Sequence, residues 1–170
     1  YTVYNPTVGG YSSAWDRACE LYAQLTGTVV DYGAAHSKEC GHDRFGRDYT
    51  GRATMGKAWD LESPLNFVGH SFGGETIRLL ASLLAYGDET EMKAATENCS
   101  ELFKGGHEKG IRSITAISSP HNGSTASNYV ADTYLPAFLM IFMLHSKCVS
   151  GKSANDLMLD QWGISKDPIS

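Results

Sequence analysis

Apolar positions along this chain follow two different periods. Ala18, Leu21, Tyr22 and Leu25 fall on one face of a helix that starts at the N-cap candidate Ser13, with Asp16 as the acid of a capping box, and stops at Gly27. Ile77, Leu79, Leu80, Leu83 and Leu84 recur at helical spacing up to Gly87 and predict a second helix. Between and after them lie short β-prone runs at Thr28–Tyr32, at Leu65–Val68 following Pro64, and at Ile111–Ser118. Thr2–Val8 is extended in character and ends at the turn signal Gly9-Gly10, while Asp88–Phe103 is polar and helix-prone. Strands alternating with helices predict an α/β domain with a parallel sheet. The site of such a sheet lies at the carboxyl ends of its strands, and both Ser71 and His121 follow strand ends. Residues 33–59 fit neither period. They are rich in Gly, His, Arg and Lys and too many for an idle connection, so they carry function or are held by something other than a core.

The 170 residues have the length of one domain, and 42% hydrophobic against 19% charged residues is enough to bury a core. A net charge of -5 with no basic run leaves nothing to track a phosphate backbone, which argues against a nucleic-acid partner. The longest apolar run, Leu135–Leu144, is far short of the about 20 residues a membrane helix needs, so no transmembrane segment is expected. Cys19, Cys40, Cys99 and Cys148 allow three full disulfide pairings, and spacing does not choose among them.

Candidate chemistry centres on Gly69-His70-Ser71-Phe72-Gly73-Gly74, at the junction of an apolar strand and an amphipathic helix. A serine between glycines at such a junction reads as a nucleophile elbow, in which a sharp strand-to-helix turn exposes the hydroxyl and the small neighbours let the backbone fold tightly. Gly73 and Gly74 would let the helix lie close against the sheet, and its N-terminus would point N–H groups at an anion forming beside Ser71. The alternative is an inert serine in a Gly-rich turn.

Trp15–Tyr22, Asp31-Tyr32-Gly33, His36–Arg47, the Gly69–Gly74 elbow, Ser119-Pro120-His121-Asn122-Gly123 and Leu159-Asp160-Gln161-Trp162-Gly163 resemble, in order and spacing, the secreted triacylglycerol lipases that include the staphylococcal and thermoalkalophilic bacterial enzymes. The resemblance spans nearly the whole chain. It implies a partial α/β-hydrolase fold: a mostly parallel sheet, a zinc-stapled polar insertion over 33–59 and a helical lid within 124–150. It also implies secretion and a lipid ester substrate met at an oil-water interface. Ser71 would be the nucleophile and the Phe72 N–H an oxyanion-hole donor. The triad Asp and His follow the serine after later strands in this fold, and only one clear strand follows Ser71, so both are expected beyond Ser170 and the chain is expected to be an inactive internal fragment. His121 matches a family position that is not the triad base.

The resemblance further implies a structural zinc held by Asp16, His36, His42 and Asp160, two carboxylates and two imidazoles suited to a closed tetrahedral site. A thiolate is also a zinc ligand, so a His36-Cys40-His42 set competes with that assignment, and Cys40 is equally a disulfide half. The family's calcium ligands lie in a later part of its sequence and are not in this chain. Leu135–Leu144 is apolar on every helical face, a pattern of buried core, but its place after the Pro-His-Asn-Gly block is that of the family's mobile lid. Two other readings stand beside the lipase: a carboxylesterase or acyltransferase using the same serine, and a non-catalytic zinc-stapled module.

Overall fold

The computed structural model describes residues 2–95, 97–125, 158 and 160–163. The lid candidate Leu135–Leu144, most of the 124–150 region, His145 and Cys148 fall outside the described residues.

Helix α1, Ala14–Thr26, begins where the sequence predicts: the Ser13 side chain accepts the Asp16 N–H at 3.1 Å. Its buried face carries Ala18, Leu21, Tyr22 and Leu25, and also Glu20 and Gln24, which a helical-wheel reading assigns to solvent. Both polar side chains are satisfied by the extended N-terminal segment. Gln24 pairs with both main-chain groups of Thr7, accepting its N–H at 3.1 Å and donating to its carbonyl at 2.5 Å. Glu20 accepts the Gly9 N–H at 2.6 Å. A segment with no strand partner among the described residues thus pairs with side chains of the helix beneath it.

Strand β1 is Val29–Asp31, followed by the short helix α2, Ala34–Cys40, and strand β2, Phe45–Asp48. Here the parallel-sheet expectation needs correction: β1 pairs antiparallel with β2, inside the polar 33–59 stretch. Strand β2 lacks apolar alternation and is held by charge instead. Arg44, just before it, makes two hydrogen bonds to Asp31 at 2.7 and 2.8 Å, and Arg47 within it pairs with Asp160 at 2.7 Å.

The second sheet is parallel and comes close to the expected positions. Strand β3, Leu65–His70, runs into helix α3, Phe72–Tyr86, and pairs with strand β4, Ile111–Ile117, in a register that sets Phe67 opposite Ile114 and His70 opposite Ile117. Among the described residues the sheets are therefore one parallel and one antiparallel pair. The core forms where α1 packs on α3: Ala18, Leu21, Leu25, Ile77, Leu80, Leu83 and Leu84 are buried together with Val30, Tyr32, Trp59, Leu102 and Phe103. By contrast Val68, Ile114 and Ile117 are exposed on the parallel pair. Helix α4, Glu89–Ala94, and a 3-10 turn at Glu101–Phe103 complete the layer beside α2.

Candidate active site and metal centre

Ser71 joins β3 to α3 with φ 53 and ψ -129, a backbone region that a residue bearing a Cβ adopts only under constraint. Two hydrogen bonds hold it. The Ser71 N–H donates to the Ile117 carbonyl at 2.9 Å, extending the parallel ladder by one rung, and its own carbonyl accepts the Gly74 N–H at 3.1 Å. Gly69 makes the turn sterically feasible, since a Cβ there would stand 2.6 Å from the Gly73 carbonyl carbon and 2.7 Å from the Gly74 nitrogen. Gly74 lets α3 approach β4, because its Cβ would come 2.0 Å from Ser119 Oγ and 3.3 Å from Ala116 Cβ. Gly73 differs from the expectation: no heavy atom lies within 4 Å of where its Cβ would be, so it points away from the sheet and closeness does not require it.

This geometry has a chemical consequence. A serine preceding a helix ordinarily spends its hydroxyl on an N–H of the first turn. Ser71 makes no such capping bond, and its residue is exposed, so the hydroxyl stays available to a ligand at the N-terminus of α3. Around it the first turn of α3 is held from two directions. Glu75 pairs with His121 Nδ1 at 2.7 Å, tying the loop after β4 to the helix. The Arg17 guanidinium lies 4.7 Å over the Phe72 ring. Among the described residues no histidine hydrogen-bonds the Ser71 hydroxyl. Sequence reasoning missed the Glu75–His121 pair, although Glu75 stands four residues after Ser71, on the same helical face, and offered a usable signal.

The second cluster lies where α1 and α2 meet. Asp16 is only half of a capping box: its N–H is capped by Ser13, but its carboxylate turns away from the helix start to face two imidazoles, His36 Nε2 at 2.9 Å and His42 Nε2 at 3.7 Å. His42 Nδ1 donates to the Asp43 carbonyl at 2.8 Å, which leaves the lone pair on Nε2. That nitrogen is buried on a side chain only 1% exposed and has no hydrogen-bond partner. A lone pair aimed at a carboxylate across 3.7 Å is unfavourable until a cation joins them, so the donor set fits a metal ion. One ligand atom from each of His36, Cys40 and His42 also lies within 4.8 Å of the other two. Asp160 is nearby, in a 3-10 turn whose Gln161 carbonyl accepts the Asp43 N–H at 2.9 Å and whose Trp162 ring meets His42 edge-on, but its own carboxylate is engaged by Arg47. Cys19, Cys40 and Cys99 are free thiols. The Cys40 thiol is pushed up by desolvation and by the neighbouring Asp16 and Glu39 charges.

Helix α2, which carries His36 and Cys40, is held from behind by a residue the sequence gave no reason to single out. Glu91 of α4 is 2% exposed and accepts the Ala35 and His36 N–H groups at 2.9 and 2.7 Å. Gly33 makes room for it. Its φ is 95, and a Cβ there would sit 2.4 Å from the Glu91 carboxyl carbon.

An exposed serine at a strained strand-helix turn, at the carboxyl end of a parallel strand pair, defines a lipase-like α/β domain. The comparisons agree: the chain matches the family described as "Lipase-like, C-terminal domain" over residues 1–170, and it belongs to that family. It is 40% identical to the lipase of Staphylococcus hyicus over 169 residues, which is 98% of this chain and 26% of that protein. With lipase 2 of Staphylococcus aureus it shares 39% identity over 172 residues, 99% of this chain and 24% of that one. The S. hyicus lipase crystal structure superposes with a TM-score of 0.82 at 39% identity, covering 100% of this chain and 43% of that chain. EstA from Clostridium botulinum superposes at 0.74 and 43% identity, covering 94% and 37%. The chain thus spans about a quarter of the length of the curated relatives it matches. No helix among the described residues is long and apolar enough to cross a membrane.

Proposed function

We propose that this chain carries the nucleophile of a serine ester hydrolase, a triacylglycerol lipase that is secreted and works on lipid esters at an oil-water interface. The observation that supports it is the backbone of Ser71: a φ of 53 held by the Ile117 carbonyl and by Gly69, with the hydroxyl unspent on capping. In this reading the Ser71 hydroxyl oxygen attacks the ester carbonyl carbon while a histidine base takes its proton. The developing oxyanion is met by the Phe72 N–H and the positive end of α3, and the alcohol leaves with the proton returned by the histidine. Water then releases the fatty acid from the acyl-serine by the same steps in reverse. His121 is engaged by Glu75, and His36 and His42 by the Asp16 cluster, so none of these three is the base in this reading.

Beside it we propose a structural zinc at the Asp16, His36 and His42 cluster, with Asp160 the fourth ligand of the family-type set. It would supply no chemistry to the ester. It would join α1 to the polar 33–59 stretch, which has few apolar residues of its own.

A fluorophosphonate probe applied to the full-length protein, followed by peptide mapping, tests the nucleophile. We expect the label on Ser71, and in Ser71→Ala a loss of ester turnover by several orders of magnitude. Near-normal turnover in that variant, or a label elsewhere, would refute the assignment.

A further inference from the structure

We propose that Glu75 and His121 are positioning residues for the nucleophile, a clamp between α3 and the loop after β4 that steadies the carbonyl to which the Ser71 N–H is bonded. The inference rests on the reading of Ser71 given above, and it adds two residues that act through the backbone rather than on the ester.

The first observation is the order of constraints at the ends of the two parallel strands. The Ser71 N–H donates to the Ile117 carbonyl at 2.9 Å, and the residue after that carbonyl, Ser118, has a φ of 49. Ser71 and Ser118 therefore both hold a left-handed backbone that a side chain disfavours, one on each side of the same hydrogen bond. Such strain persists only where the surroundings fix it. Beyond Ser118 the loop folds on itself through two short-range bonds, from the His121 N–H to the Ser119 carbonyl at 3.0 Å and from the Gly123 N–H to the Pro120 carbonyl at 2.8 Å. Neither bond reaches α3. The loop is seated on the helix by side chains instead: Ser119 takes up the space that a Cβ at Gly74 would need, and His121 Nδ1 lies 2.7 Å from Glu75 Oε1.

The second observation is what Glu75 does not do. A carboxylate in the first turn of a helix ordinarily settles at the positive end of that helix, where it would compete with an oxyanion for the same N–H groups. Glu75 Oε1 is buried without an aligned hydrogen bond, so the imidazole at 2.7 Å is the group that meets its charge. At that separation a proton lies between the two atoms, and since an ionised carboxylate only accepts, Nδ1 carries it. The clamp thus has two effects on the nucleophile. It holds the strained loop, and with it the Ile117 carbonyl, against α3, and it keeps a negative charge off the N-terminus that Ser71 precedes. Both bear on the chemical step more than on substrate binding.

The test uses the full-length protein and two substitutions of opposite kind. Glu75→Gln keeps the reach of the side chain and removes its charge; Glu75→Asp keeps the charge and loses a methylene of reach. On a dissolved short-chain ester, Glu75→Asp is expected to lower kcat by about tenfold with KM within about twofold, while Glu75→Gln stays within about threefold of wild type. The rate of fluorophosphonate labelling at Ser71 is expected to follow the same order. In a His121→Ala background, where the contact is already gone, Glu75→Asp is expected to change kcat by less than about twofold. Should His121→Ala fail to fold, the contrast between the two changes at 75 decides alone. The reverse order, with Asp active and Gln impaired, would overturn the clamp, as would a raised KM at unchanged kcat. Full turnover in both variants while Ser71→Ala is inactive would also overturn it and leave the nucleophile standing. Turnover that survives in Ser71→Ala would overturn both.

Discussion

Replacing Glu20 by Gln isolates the effect of one buried proton. Glu20 is fully buried, accepts the Gly9 N–H at 2.6 Å and lies 3.2 Å from the Tyr32 hydroxyl, which is also 3.2 Å from Gln161 Oε1. A phenol has one proton to give. With Glu20 ionised, Tyr32 donates either to it or to Gln161; with Glu20 protonated, the carboxyl donates to Tyr32 and Tyr32 donates onward to Gln161 Oε1, so both hydroxyl protons are used. Burial raises the Glu20 carboxyl from its ordinary 4.5 to about 7, against the lowering effects of the Gly9 and Tyr32 hydrogen bonds. Because the folded pKa lies above the unfolded one, the native state holds the extra proton. The resulting stability is fully present below about pH 4.5 and is lost as pH rises through about 7, a change of about 3 kcal/mol. Glu20→Gln copies the protonated form: its amide oxygen accepts from Gly9 and its NH₂ donates to Tyr32, with no titration. Urea unfolding of both proteins, metal-free and in steps from about pH 4 to about pH 8, reads the difference between them, in which other titrating groups cancel. Wild type is expected to lose about 3 kcal/mol relative to Glu20→Gln across that window. A gap that stays flat, or in which wild type gains as pH rises, would refute the account.

At the elbow, Gly74→Ala is expected to destabilise by about 1–3 kcal/mol, because the added methyl meets Ser119 and Ala116. Gly73→Ala, with open space around it in a helical first turn, is expected to be neutral or stabilising by up to about 1 kcal/mol; thermal unfolding of the two distinguishes them, and equal losses would refute the packing assigned to Gly74. For Leu135–Leu144, the segment expected as a lid from the family resemblance, replacing Phe138 and Phe142 by Ser in the full-length protein is expected to impair hydrolysis of emulsified long-chain esters more than of dissolved short-chain ones. A uniform loss together with lower stability would mark that segment as core.

What the sequence disclosed follows the range of the interactions involved. The elbow is made by neighbours: β3, the turn at Ser71 and α3 are contiguous, and apolar period and glycine placement foretold them to within a residue or two. So did the cap and face of α1. Interactions between distant segments were hidden. Glu20 and Gln24 look like solvent-facing residues of an amphipathic helix, and only the return of residues 7–9 over α1 turns them inward. Strand β2 has the composition of a loop; its order comes from Asp31 and Asp160, residues its local sequence does not contain. In the metal cluster the spacing of His36, Cys40 and His42 was readable as alternatives, while the orientation of Asp16 was not. The capping-box pattern describes where its N–H goes and is silent about the carboxylate, which the fold aims at an imidazole twenty residues away.

Gly33 and Glu91 bear on how this protein can change over generations. Because the Glu91 carboxyl occupies the space a Cβ at position 33 would need, and holds the first N–H groups of α2, neither position can drift independently. A side chain at 33 would meet the Glu91 carboxyl and would also have to adopt a φ of 95, so glycine is required there on two counts, and shortening 91 alone releases the helix that carries His36 and Cys40. A change at 91 does not free position 33, so each residue constrains the other and neither escapes by a single step. The polar stretch around it can accumulate surface changes freely, but its docking against α4 is inherited as a unit.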